Sequence, residues 1–458
     1  MDWQKLLSRK LLCDEKPGNQ NLNDGRSPFQ RDFDRIVFSS AFRRLQDKTQ
    51  VFPLPESDFV HTRLTHSFEV SCVGRSLGTL IGSTIIKRHK ELKEKYSHFH
   101  FGEIVAAACL AHDIGNPPFG HSGEDAISEY FKNGDRNQFK ENLTELQWND
   151  LTRFEGNAQG FRLLTKLQNP KIKGGLRLTC AALAAFTKYP KESFAPDNNI
   201  IIIEKGEAKL YKKFGFFQSE KDLFLEVACE TGLEERENNK KYLLWKRHPL
   251  TFLVEAADDI CYRIMYLEDG FHLGLLSFKE TEDLLMPFTK GQKLNAYNER
   301  DENDKIGYLR AKSISSIVNK LSEVFLDEEK NLLDGKLGND LISFLPFGDV
   351  LDKIQQISVE KIYSFTSVVE REAAGYEVIG GLLDTFIGAV NEAAAGKISP
   401  KSKTLLKLLP QQFLGSNSEV EKDLYLRLLN ITDFISGMTD SFAVSLYRKI
   451  KGISLPGR

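Results

Sequence analysis

Apolar residues recur at helical spacing along most of this chain. In "DFDRIVFSSAFRRL" they stand at Phe33, Ile36, Val37, Ala41 and Leu45, one stripe of a helix. "HSFEVSCVGRSLGTLIGSTIIKRHKELKEK" predicts one long helix with a charged end. "FGEIVAAACLAHDIG" predicts a buried helix, stopped by Gly115 and then by Pro117 and Pro118. "SGEDAISEYF" opens the next, with Ser122 as its expected N-cap and Asp125 three residues on. "NAQGFRLLTKLQ", "RLTCAALAAFTKY" and "PLTFLVEAADDICYRIMYLEDG" continue the pattern. One interruption, "IIIEKGEAKLY", reads as two strand-like pieces around Lys205 and Gly206. The expected fold class is therefore all-α with at most a short β-hairpin. "RENNKK" and "NERDENDK" read as polar loops, and neither an internal repeat nor a low-complexity linker marks a boundary. The organisation expected is a core over 1–275 and a C-terminal helical extension over 276–458 packed on it.

Composition narrows this picture only a little. The 458 residues are 41% hydrophobic and 28% charged, as in a globular protein that buries a large core. A formal net charge of −2 gives no global field for nucleic acid, so an anionic ligand would need local Arg and Lys. An unbroken apolar run of about 18 residues is absent, so no membrane partner is expected. Six Cys lack any CxxC spacing, and Cys72, Cys109, Cys180 and Cys261 read as small core hydrophobes. A reducing, cytoplasmic setting follows as an expectation.

The chemistry concentrates in "LAHDIGNPPFGHSGEDA", residues 110–126. His112 and Asp113 end an apolar helix, where both can reach one ion at its terminus. An imidazole nitrogen and a carboxylate suit divalent first-row metals; a hydrogen-bonded structural pair is the alternative. His66 starts the preceding long helix. Asp258 sits inside the apolar "LVEAADDICY", where an unpaired carboxylate would be costly. Asp258 shares a helix stripe with Tyr262 and Tyr266, whereas Asp259 shares one with Arg263, so Asp258 is the better ligand candidate. His121 follows a Gly/Pro turn, and Glu124 is three residues on, within reach to orient its imidazole.

The order His66, His112-Asp113, Asp258 resembles the metal set of the HD-domain phosphohydrolases. "RSPFQRDFDRIVFSSAFRRLQDKTQVF", "HTRLTHSFEV", "AHDIGNPPFGHSGE", "FEGNAQ", "AFTKYP", "EAADDICYRI" and "DFISGMTDSFA" extend the likeness over most of the chain. Together they resemble the bacterial deoxyguanosinetriphosphate triphosphohydrolases (dGTPases) of that superfamily. The resemblance implies a mainly helical HD-domain fold and hydrolysis of a dNTP, dGTP first, at its α-phosphorus to deoxynucleoside and triphosphate. It implies one divalent metal per site, Mg2+ or Mn2+ first, with Fe, Co or Ni compatible. His121 and Glu124 match the family's acid/base pair. Arg63 and Lys188 match phosphate-binding positions, with Tyr189 beside them as a further substrate contact, and Gln50 and Tyr262 match sugar contacts. Glu155 and Asn157 stand nearby as supporting groups. Tyr266 is a further substrate-binding candidate: it falls where the family usually has an Asp for the 3′-hydroxyl, so substrate preference or affinity can differ here. Asn116, where some relatives have His, favours one metal over two. Relatives are often hexamers or tetramers, so a homo-oligomer is implied. Some bind single-stranded DNA, for which "KRHKELKEK" offers charge. The alternatives are a triphosphohydrolase of other base preference, and a regulatory protein that binds nucleotide or single-stranded nucleic acid.

Overall fold

In the computed structural model of this chain, the described residues are all except 16–24, 51–60, 195–212, 237–241, 339, 364–365, 416–418 and 455–458. The expected β-hairpin at 201–211 lies outside them. Among the described residues there is no strand, only four isolated bridges. The fold is all-α.

Two helices form its axis, Arg63–Arg88 and His98–Ala111. They approach closely because glycines face each other across the contact. A Cβ at Gly78 would lie 2.7 Å from the Phe101 carbonyl oxygen, and one at Gly102 would lie 2.2 Å from Thr79 Oγ1. Such contacts are far inside van der Waals distance, so larger residues would force the helices apart. This close pairing is what brings His66, near one helix start, beside His112, at the other helix end. The Thr251–His272 helix packs across both and carries Asp258.

Apolar side chains gather in two main clusters. The larger includes both axis helices, Cys180–Phe186, Thr251–His272 and the early C-terminal helix Glu302–Asp327. The second joins residues 119–158 to 378–443. The C-terminal residues therefore divide between the two, and the later ones share a core with the segment that carries His121. A buried ion-pair network fastens this second contact. Arg162 donates through Nε and Nη2 to both Asp433 oxygens at 2.7–3.0 Å, and through Nη1 to Glu220 at 2.5 Å. All three side chains are at most 1% exposed, so losing one partner would strand a buried charge.

Several sequence expectations are corrected. "DFDRIVFSSAFRRL" is two helices, Pro28–Val37 and Ser40–Arg44, because the Ser39 side chain accepts from Phe42 N and restarts the helix. The long helix ends at Arg88. Ser122 is not an N-cap: the helix begins at His121, after Gly120 at φ +62°. Cys72 is exposed, whereas Cys109, Cys180 and Cys261 are buried, and all six cysteines are free. The Val369–Ala394 stretch is long and apolar enough by composition to cross a membrane, with half of its apolar window buried in the second cluster. Its Glu377, Asp384 and Asn391 break the run that the sequence criterion sought.

Candidate active site

The site lies where the two clusters meet. Its cavity of about 430 Å³ falls in the usual range for small-molecule sites, roughly 300–1,000 Å³. His112, Asp113 and Asp258 line its floor with Arg63 and Lys188; His121, Glu124, Gln50, Tyr189 and Tyr262 line its walls.

The floor has the form of a metal cage. Ligand atoms of His66, His112 and Asp258 all lie within 4.8 Å of one another. His66 Nε2 is 3.2 Å from Asp258 Oδ1, and His112 Nε2 is 3.5 Å from the same oxygen. Two ligands bound at about 2.1 Å and roughly 100° apart would be separated by about 3.2 Å, so the spacing fits one ion. Tautomer and solvation agree. His112 Nδ1 donates to the Cys109 carbonyl at 2.7 Å, which turns Nε2 toward the cage. That Nε2 is buried without a hydrogen-bond partner, which is costly for a lone nitrogen unless a cation takes it. Asp113 stands at the cage's edge. Its Oδ1 is 3.5 Å from His112 Nε2 but accepts from Asn116 Nδ2 at 2.7 Å, while Oδ2 takes Arg63 Nη1 at 2.6 Å.

Charges on the floor balance in pairs. Asp113 faces Arg63, and Asp258 Oδ2 takes Lys188 Nζ at 3.0 Å. Burial would raise both carboxyls, but the surrounding cations outweigh it. Lys188 and the two imidazoles hold Asp258 well below the usual range, and His112 and Arg63 do the same for Asp113. With both imidazoles neutral, as metal ligation requires, two carboxylates against Arg63 and Lys188 leave no net charge, so a divalent ion would make the floor about +2. A floor of that charge would complement an anionic ligand.

The wall is built differently. His121 opens the His121–Lys132 helix with its side chain 80% exposed, while Glu124 in the first turn is nearly buried. His121 Nδ1 donates to Glu124 Oε2 at 2.7 Å, and Gly156 N donates to Glu124 Oε1 at 2.7 Å. The hydrogen bond to Glu124, and then its charge, raise the His121 pKa above its ordinary 6.5. Asn157 also faces the cavity and donates to Glu155 at 2.6 Å, behind Glu124.

Tyr262 and Gln50 line the cavity, but Tyr266 does not. Tyr266 is 1% exposed, stacked 6.2 Å behind His66 and edge-on to Tyr262. Asp259, next to the cage, is pushed up to about 7 by burial and then by Asp258. Sequence reasoning missed Lys213, which faces the cavity and pairs with Glu155 at 3.3 Å. It also missed Arg371 and Glu372, which reach the cavity from the Thr366–Ala394 helix. A charged pair inside that apolar helix was the only signal for them.

Comparison with known proteins gives a consistent match. A family profile described as "HD domain" matches residues 63–146, and one described as "Phosphohydrolase-associated domain" matches 347–449. A "Deoxyguanosinetriphosphate triphosphohydrolase-like protein" of Synechocystis is 47% identical, over 99% of this chain and 100% of that protein. A protein of the same description from Pseudomonas aeruginosa is 41% identical, over the full length of both. A "Deoxyguanosinetriphosphate triphosphohydrolase" of Salmonella paratyphi A is 30% identical, over 93% of this chain and 94% of that protein.

Proposed function

The chain belongs to the dGTPase family of HD phosphohydrolases, hydrolases of phosphoric ester bonds; from that premise we propose that it is a metal-dependent dNTP triphosphohydrolase, with dGTP as first substrate. The observation that carries the reading is the juxtaposition of a His66–His112–Asp258 cage with an exposed His121–Glu124 pair around one cavity. Asp113 supplies the fourth ligand in this reading. A divalent ion held there polarises a phosphoryl group and lowers the pKa of a water. Mg2+ and Mn2+ are the first choices for that nitrogen and oxygen donor set.

The chain's own residues do the rest. Arg63 and Lys188, already on the floor, hold phosphate oxygens, and Tyr189 flanks them. Water's oxygen bonds the α-phosphorus and gives up a proton to solvent as the bond to the 5′-oxygen, a poor leaving group as an alkoxide, breaks. His121 donates a proton to the 5′-oxygen, and Glu124 keeps the imidazole charged and oriented. Gln50 and Tyr262 flank the sugar, where a ring against C2′ leaves no room for a 2′-hydroxyl. Tyr266 acts from behind them, through Tyr262. The nucleotide is the partner this reading requires. A homo-oligomer and single-stranded DNA rest on family resemblance, and solution mass and strand-binding measurements check them.

The test is direct. Purified protein is incubated with Mg2+ or Mn2+ and each dNTP in turn, and products are separated by ion exchange. Intact triphosphate, most rapidly from dGTP, supports the reading; orthophosphate or pyrophosphate as first product overturns it.

A further inference from the structure

The Gly/Pro turn that carries His121 is bonded to its own helix only through the Gly120 carbonyl, which accepts from Glu124 N at 3.1 Å, and it takes further contacts from elsewhere in the chain. Phe119 and Gly120, just before His121, both take positive φ, +64° and +62°. For an aromatic residue this is a strained conformation that persists only where surroundings enforce it. The enforcing contacts come from a distant segment. Asp440, 3% exposed in the first turn of the Asp440–Ile450 helix, accepts from Phe119 N through Oδ1 at 3.0 Å. Its Oδ2 accepts from Thr49 N at 3.0 Å, and Thr49 and Gln50 both line the cavity. Arg371 Nη2 donates to the same Oδ2, and its guanidinium lies 5.9 Å from the Phe119 ring centroid. The Phe119 ring is seated so closely on Gly375 that a Cβ there would come within 3.0 Å of it.

Neighbouring bonds join the same three segments. Buried Lys48 donates to the Asn116 carbonyl at 2.5 Å and to the Ser436 carbonyl at 3.0 Å. Arg44 donates to the Gly437 carbonyl at 3.0 Å, and Ser441 to Asp47 at 3.0 Å. Asp440 alone among these carries side-chain bonds to both cavity-lining stretches.

We propose that Asp440 is a positioning residue for the reaction: it holds the Phe119–Gly120 turn so that His121 faces the cage, and holds Thr49 so that Gln50 faces the sugar. The proposal rests on the proposed function for its kinetic consequence. Asp440 touches neither the cage nor the proton in flight. Its effect passes through backbone placement, where displacement of about 1 Å can cost up to roughly 100-fold in rate. The late C-terminal segment thus completes the site rather than merely covering it.

The experiment uses the full-length chain with Asp440→Ala and Asp440→Asn. Metal content by mass spectrometry should be unchanged, because His66, His112 and Asp258 are intact. Amide hydrogen exchange should rise in the peptides containing Phe119 and Thr49 and not along the His98–Ala111 helix. With dGTP and metal, kcat of Asp440→Ala should fall roughly 10- to 100-fold. Asp440→Asn, which keeps one acceptor oxygen and the side-chain size, should fall between it and the parent. It also carries the test if the alanine variant does not fold. In a His121→Ala background, the fold-loss on Asp440→Ala should be clearly smaller, leaving only the part that passes through Thr49 and Gln50. An equal fold-loss in both backgrounds, or unchanged exchange at Phe119, overturns the proposal. If the parent protein releases no triphosphate, the functional reading fails; the exchange arm still decides whether Asp440 holds the turn.

Discussion

The floor and the wall of this cavity use the same residue types in opposite ways. On the floor, His66 and His112 are buried and converge with Asp258 in a rigid pocket of helix-borne side chains. On the wall, His121 is 80% exposed and depends on Glu124 and on a strained turn. A buried imidazole with a fixed tautomer is suited to ligate. An exposed imidazole with a raised pKa is suited to give up a proton. The difference arises from placement: the floor's helices belong to the larger apolar cluster, and the His121–Lys132 helix of the wall to the cluster shared with the C-terminal helices.

Removing one proposed metal ligand from the floor tests the comparison hardest. Asp258→Asn should abolish metal binding, with turnover down by about 10⁴-fold or more, the scale on which electrostatic and metal contributions combine. Calorimetric Mn2+ titration and kcat should fail together; turnover with no bound metal would break the distinction. His121→Ala should lose roughly 100-fold or more in kcat, the usual scale for one acid/base group, while Mn2+ binding stays. Loss of metal with His121 would mean that wall and floor are one unit.

How much of this contrast was legible in the sequence follows from burial. Asp258 stood out because a carboxylate inside "LVEAADDICY" needs a compensating cation, and His112-Asp113 stood out at the end of an apolar run. The wall was harder to read. Gly120 rather than Ser122 starts its helix, a backbone choice that a cap pattern does not reveal. Lys213 and Arg371 come from segments whose charges look like solvated surface until the chain folds back. The glycines that seat the axis helices carry no signal of that role in the sequence, because it exists only in the contact.

A smaller effect sharpens the wall's half of the comparison. The bond to Glu124 raises the His121 pKa, so the proton donor is present below that raised value and lost as pH climbs through it. The alkaline limb of kcat should lie above 6.5, the ordinary histidine value. Glu124→Gln removes the charge that raises it, so the limb should move to lower pH, with a maximal kcat reduced about 10-fold. A limb unmoved by Glu124→Gln would assign the titration to another group.

The most direct measurement follows the oxygen. Hydrolysis of dGTP in H2¹⁸O, monitored by ³¹P NMR, should place one ¹⁸O on a terminal phosphorus of released triphosphate and none in the deoxyguanosine. Label in the nucleoside 5′-hydroxyl, or appearance of orthophosphate or pyrophosphate before triphosphate, would contradict attack at the α-phosphorus with protonation of the 5′-oxygen.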